Sequence, residues 1–193
     1  AHPIRPDSYE EINNFYTVTV YNKGAEVVRM LRHVVGNEQF RAGTNLYFDR
    51  HDGQAVTTED FVQAIEDANG LQLEQFRRWY SQAGTPEVHA RVAYNASSST
   101  ASITLSQTCP DTPGQTDKLP FQIPVVIEAY DQSGNQLIEE TTLSLTESSQ
   151  EFTFTDLVAR PTFSILRGFS APVKLTLDSE QEDNSVLMRF DSD

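Results

Sequence analysis

The sequence predicts an α+β chain, a helical bundle followed by an antiparallel immunoglobulin-like β-sandwich. Three observations carry that prediction. Between Val20 and Tyr80 the apolar residues recur at three and four, which lays them along one stripe of a helix. At Ala83-Gly84-Thr85-Pro86 the period changes to two, the repeat of a half-buried strand. Beyond it about seven short alternating runs, separated by turns, fill roughly ninety residues, a density that fits a sandwich better than a parallel sheet.

Four helices are expected, at about Val20–Val35, Glu38–His51, Thr58–Ala68 and Leu73–Gln82. The first carries Val27, Met30, Leu31 and Val34 on one face, and the third carries Phe61, Val62 and Ile65. Gly36-Asn37, Asp52-Gly53 and Asn69-Gly70 punctuate them where a turn or left-handed conformation is needed. Thr57 or Thr58 can cap the third helix, with Glu59 and Asp60 at the positive end of its dipole. Leu71, Leu73, Phe76, Trp79 and Tyr80 follow at core spacing and read as packing.

In the second half Val88, Ala90, Val92 and Tyr94 alternate with His89, Arg91 and Ala93. Further runs are Ile103/Leu105, Phe121 to Ala129, Leu143/Leu145, Phe152/Phe154 and Val173/Leu175/Leu177, and Asp131-Gln132-Ser133-Gly134-Asn135 is a hairpin turn between two of them. Pro124, which lacks an amide proton, marks an edge strand or a bulge. Pro110–Lys118 reads as a surface loop. The expected domains are 1–86, 87–177 and, from 178 to 193, the start of a further, truncated element, so the sequence reads as a segment of a longer protein.

The chain has 193 residues and a net charge of −14, with 38% hydrophobic residues. That excess of acid without a basic cluster argues against a nucleic-acid or anionic-membrane partner, because phosphate binding needs a positive footprint. Residues 87–193 hold 16 acidic against 6 basic residues, the first 86 hold 12 against 8, and the acidity reads as a solvated surface. No run of eighteen apolar residues and no basic-then-apolar leader is present, so neither a membrane span nor a secretory signal is predicted. One cysteine, Cys109, cannot make an internal disulfide or a multi-thiolate metal site, which points to a reducing compartment, the cytoplasm.

His2, His33, His51 and His89 never fall at the spacing that puts two imidazoles on one helix face, and no HExxH occurs. No Gly-x-Ser-x-Gly elbow and no glycine-rich phosphate loop is found. Cys109 has no basic neighbour in sequence to lower its pKa.

The informative stretch runs from Glu11 to Leu31. Tyr21-x-Lys23-Gly24-Ala25 followed by Val27-Val28-Arg29-Met30-Leu31 resembles the tyrosine motif of the zinc aminopeptidases of the aminopeptidase N family. His2-Pro3-Ile4-Arg5-Pro6, Asn13-Asn14-Phe15-Tyr16, Gln39-Phe40 through Leu46-Tyr47-Phe48, Asp60-Phe61 and the run from Phe76 to Pro86 are similar, in order, to the bacterial alanyl aminopeptidase branch. The likeness is dense over the helical half and looser over the sandwich. It implies that the helical half is the C-terminal part of a thermolysin-like catalytic domain, that the sandwich is the family's β-domain, and that the tail begins an all-helical domain.

For mechanism the resemblance implies a zinc held by HExxH and a downstream Glu, a Glu as general base, and a tyrosine that donates to the scissile carbonyl oxygen as it becomes an oxyanion. Tyr21 matches that tyrosine. A phenol, with an ordinary pKa of about 10, stays protonated near neutrality and can donate. Gly24 and Ala25 would let the helix approach the metal cleft. Asn13 and Tyr16 match positions that line the pocket for the substrate's first side chain; read from the residues alone, Asn13 is equally a cap and Tyr16 core packing. Lys23 and Arg29 read as structural ion partners. The zinc ligands and general base are expected upstream of Ala1, so the segment alone is expected to be inactive, with the remainder of the same polypeptide and peptide substrates as its partners. The rival reading is a non-catalytic binding or scaffolding module.

Overall fold

The computed structural model describes residues 2–6, 11, 13, 17–178 and 185–191. They belong to two compact units, one of residues 1–84 with 111–117 and the other of residues 85–110 with 118–193.

The first unit holds a π-helical turn at Thr19–Lys23, then α1 (Gly24–Val35), α2 (Asn37–His51), α3 (Thr58–Asn69) and the short α4 (Arg78–Ser81). Val27, Met30 and Leu31 of α1 and Val62, Ala64 and Ile65 of α3 are buried, the faces that the three-and-four spacing selects. Thr57, not Thr58, caps α3: its hydroxyl accepts from the Asp60 amide at 3.4 Å while the Asp60 carboxylate accepts from the Thr57 amide at 2.8 Å. These bonds to Thr57 hold the Asp60 carboxyl below the usual carboxylate range. Gly70 ends α3 in the left-handed conformation, with φ 63°.

Between α2 and α3 the approach is close. A Cβ on Gly43 would lie 2.4 Å from Ile65 Cδ1 and 2.7 Å from Ile65 Cα, so glycine is what lets these two helices touch.

The fourth helix is shorter than the apolar spacing predicts, Arg78–Ser81 against Leu73–Gln82. The backbone shows why. The amides of Arg78, Trp79 and Tyr80 each reach back three residues, to the carbonyls of Gln75, Phe76 and Arg77, a tighter winding than an α-helix. The Leu73 amide is drawn off to Glu66, 2.5 Å away, and Glu66 in turn takes a two-pronged bond from Arg77 at 2.7 and 2.8 Å. The segment is thereby tied to α3 through side chains instead of extended as a helix. Residues 111–117 return to this unit, where the Gln115 carboxamide accepts from the Ala83 amide at 2.7 Å and donates to the Ser81 carbonyl at 3.0 Å.

Among the described residues of the second unit seven strands form two sheets, β5-β2-β1-β7 and β4-β3-β6. They are β1 (Glu87–Asn95), β2 (Thr100–Thr108), β3 (Ile123–Tyr130), β4 (Gln136–Leu145), β5 (Ser149–Phe154), β6 (Thr162–Ile165) and β7 (Lys174–Asp178). All pairings are antiparallel except β1 with β7, which run parallel from Glu87↔Lys174 to Arg91↔Asp178. The β3–β4 turn is the predicted one: Asp131 Oδ1 accepts from the amides of Ser133 and Asn135, and Gly134 takes φ 85°. Gln107, buried against the interior, bonds both the amide and the carbonyl of Phe121 at 2.8 Å and so fixes the entry to β3.

Pro124 stands in neither an edge strand nor a bulge. It lies in β3, the middle strand of its sheet, opposite Ser144, and the register shifts of β3 come later, between Ile127 and Tyr130. The proline is tolerated because β6 pairs only with Ile127–Tyr130. At Pro124 the side away from β4 has no strand to receive an amide proton, and the Ser170 hydroxyl takes the place, donating to the Pro124 carbonyl at 3.0 Å and accepting from the Val126 amide at 3.1 Å.

Candidate functional site

Tyr21 sits in the π-helical turn that precedes α1, and its side chain is 58% exposed. Such turns are rare and often found at functional sites, and the apolar spacing gave no sign of this one.

Both flanks of the turn are pinned. On the N-terminal side the Tyr21 amide donates to the Thr17 carbonyl at 3.0 Å, and the Thr17 hydroxyl accepts from the Val20 amide at 3.2 Å. That hydroxyl also lies 3.1 Å from His2 Nε2, while His2 Nδ1 is 2.7 Å from the Pro3 carbonyl. A carbonyl can only accept, so Nδ1 carries a proton, and in the neutral ring Nε2 receives the Thr17 proton. On the C-terminal side Lys23 Nζ donates to the Gly84 carbonyl at 2.6 Å and lies 5.8 Å from the centre of the Trp79 ring. The lead-in holds as well: Ile4 is buried and the Arg5 amide donates to the Tyr80 carbonyl at 3.0 Å.

The helix that carries Tyr21 is apolar on more than its core side. Val18 and Val28 are exposed with Tyr21, and Ala25 shares that face. Beside it, Val20, Gly24 and Val28 form one wall of a cleft of about 470 Å³ completed by Ile4, Pro6, Tyr47, Phe61 and Tyr80. Tyr47 and Phe61 meet edge to face there, 5.2 Å between ring centres. Apolar side chains standing open together on one helix face mark a surface that is normally covered.

Of the other residues that the sequence singles out, Asn13 is exposed and Tyr16 lies outside the described residues. Arg29 pairs with Glu26 at 2.8 Å, as an ion partner should. Gly24 does not owe its lack of a side chain to packing inside this segment, since a Cβ there would meet only Ile4 Cγ2, at an ordinary 3.7 Å. Among the described residues no three of His, Cys, Asp or Glu are grouped so as to hold a metal ion.

Residues 1–80 match the model of the peptidase family M1 domain, and residues 84–178 match the domain of unknown function DUF3458, described as an Ig-like fold. Aminopeptidase N of Escherichia coli (strain K12) is 46% identical over 196 residues, which cover 98% of this chain and 22% of that protein. The chain belongs to the peptidase M1 family. Within the family, aminopeptidase N of Haemophilus influenzae is likewise 46% identical, over 98% of this chain and 23% of its own length. The crystal structure of Legionella pneumophila aminopeptidase A in complex with aspartic acid superposes with a TM-score of 0.87 at 29% identity, covering 98% of this chain and 21% of that one. The chain thus spans about a fifth of the length of the M1 relatives it matches. Among the described residues no helix is long and apolar enough to cross a membrane.

Proposed function

We propose that this chain is the part of a zinc-dependent M1 aminopeptidase that supplies the tyrosine stabilising the tetrahedral intermediate, and that Tyr21 is that tyrosine. The protein as a whole removes N-terminal residues from peptides, in the cytoplasm. The observation that carries the reading is the exposed phenol of Tyr21 on a π-helical turn pinned at both ends, within the motif shared with aminopeptidases. A donor fixed in place before the reaction costs no reorganisation when negative charge develops on the carbonyl oxygen, which is the condition for electrostatic stabilisation. Asn13 and Tyr16 are assigned to the pocket for the substrate's first side chain.

Residues 1–86 are read as the end of the catalytic domain, 87–177 as the β-domain and 178–193 as the start of a helical domain. Zinc would be held by the upstream part of the polypeptide, as the resemblance implies. No step is derived through it. The apolar stripe and cleft beside Tyr21 support the same arrangement, since they are surfaces that another part of the polypeptide would cover.

Tyr21→Phe in the longer enzyme tests the assignment. Loss of one donor to an oxyanion is worth about 3–4 kcal/mol, so kcat on an amino-acid anilide should fall by roughly 10²–10³ with a smaller change in KM. Zinc content should be unchanged. Tyr47→Phe, which keeps its ring against Phe61, is the control and should be nearly silent. A Tyr21→Phe enzyme that keeps most of its kcat would refute the assignment.

A further inference from the structure

Outside the Tyr21 region, one buried charge cluster has no place in the reaction. Arg167, its side chain 8% exposed, reaches carboxylates from three different parts of the second unit. Nη2 lies 3.0 Å from Glu128 Oε2 on β3, Nε lies 3.2 Å from Glu140 Oε2 on β4, and Nη1 bonds Asp191 Oδ1 just beyond the helix Ser185–Phe190, α5. Nη1 is also 3.4 Å from the Ser164 hydroxyl on β6. Glu128 and Asp191 are as deeply buried as the arginine, at 9% and 8%, whereas Glu140 is 63% exposed. Gln136 donates to the other oxygen of Glu128, and Tyr130 hydrogen-bonds Glu128 as well.

The backbone around the arginine is strained. Leu166 (φ 67°), Gly168 (φ 55°) and Phe169 (φ 50°) all occupy the left-handed region, where leucine and phenylalanine are disfavoured by roughly 1–2 kcal/mol each. Strain of this kind persists only where the surroundings over-determine it. Here Arg167 is fixed by its carboxylates on one side, and the fully buried Ser170 by β3 on the other.

We propose that Arg167 is a clasp that locks α5 onto the three-stranded sheet through Asp191, so that this helix belongs mechanically to the β unit. The need for such a clasp follows from the narrow apolar footing of α5. Val186 is buried, but Met188 on the same helix is 90% exposed, so apolar burial gives α5 a narrow footing. Arg167 adds a charge-assisted bond in a place shielded from water, where its removal leaves two buried carboxylates without their cation.

Amide hydrogen exchange on the 193-residue chain tests the clasp. Asp191→Ala should raise exchange of the Arg189 to Asp191-position amides at least tenfold while β3 stays protected. The substitution is discriminating, because a carboxylate at a helix C-terminus opposes the helix dipole and its removal would by itself strengthen α5. Arg167→Met should loosen the same amides, more strongly. Unchanged protection of α5 in Asp191→Ala would overturn the proposal. So would loss of protection in β3 together with α5, which would assign the cluster to holding the sheet. An α5 already unprotected in the wild-type chain would overturn it too.

Discussion

Gly43→Ala probes the frame on which the cleft beside Tyr21 is built, because α2 contributes Tyr47 and α3 contributes Phe61 to the cleft wall. The new Cβ would sit 2.4 Å from Ile65 Cδ1 and 2.7 Å from Ile65 Cα. The side-chain atom can swing away, but the backbone atom cannot. The helices must therefore part by about 0.7 Å to restore an ordinary contact, in an interior packed without slack. Overpacking of this kind costs about 1–3 kcal/mol. Alanine returns up to about 1 kcal/mol of helix propensity relative to glycine, and because the clash is with backbone the cost falls in the upper half of that range, about 2–3 kcal/mol, for a net destabilisation of about 1–2 kcal/mol. For a unit of this size each kcal/mol lowers Tm by about 4–8 °C, well within reach of circular dichroism at the helical signal. Ile65→Val, which removes Cδ1 and alone costs about 0.5–1.5 kcal/mol, should rescue Gly43→Ala in part but not fully, since the contact with Cα remains. A Gly43→Ala chain that melts at or above the wild-type temperature would refute the close crossing of α2 and α3.

Two further outcomes follow from the helical unit. Burial, with Glu59 nearby, pushes the Tyr80 phenol up to about 12, so the folded state keeps its proton while the unfolded chain ionises near pH 10. The stabilisation is fully present below pH 10 and is lost between pH 10 and 12 at up to about 1.4 kcal/mol per pH unit. Tyr80→Phe should flatten that part of the alkaline stability profile in urea titrations, and an equally steep loss in the variant would count against the burial argument. The apolar cleft and the stripe of Val18, Tyr21 and Val28 should bind a hydrophobic dye in the 193-residue chain and not in the longer enzyme. Equal binding by the two would mean that nothing covers this face.

Much of the fold was legible because it rests on periodicity. The stripe of Val27, Met30 and Leu31, the alternation of Val88 and Ala90, and the Asp131–Asn135 turn are local patterns, and each forms the element that its spacing predicts. The errors arise where a side chain far along the chain takes over a backbone group. Glu66 captures the Leu73 amide and shortens α4, and Ser170 stands in for a strand beside Pro124. The π turn under Tyr21 is another case, since its anchors, His2 and the Gly84 carbonyl, lie on either side of the motif and at a distance from it. The motif singles out Tyr21. It did not reveal how the tyrosine is held.

Glu128 shows where a signal was present and went unused. It is the lone acidic residue in Ile123–Tyr130, a strand buried along its whole length. A carboxylate at such a position must meet a cation, because an unpaired buried charge costs several kcal/mol. The need for a partner was therefore readable from the strand. Which cation answers it was not, because Arg167 reaches Glu128 only through a loop held in a conformation that neither Leu166 nor Phe169 favours. Local propensity argues against that loop, and the ion pairs that outweigh it are made with residues of β3, β4 and the end of α5. Where tertiary charge pairing overrides local preference in this way, a sequence discloses the demand for a contact before it discloses the contact itself.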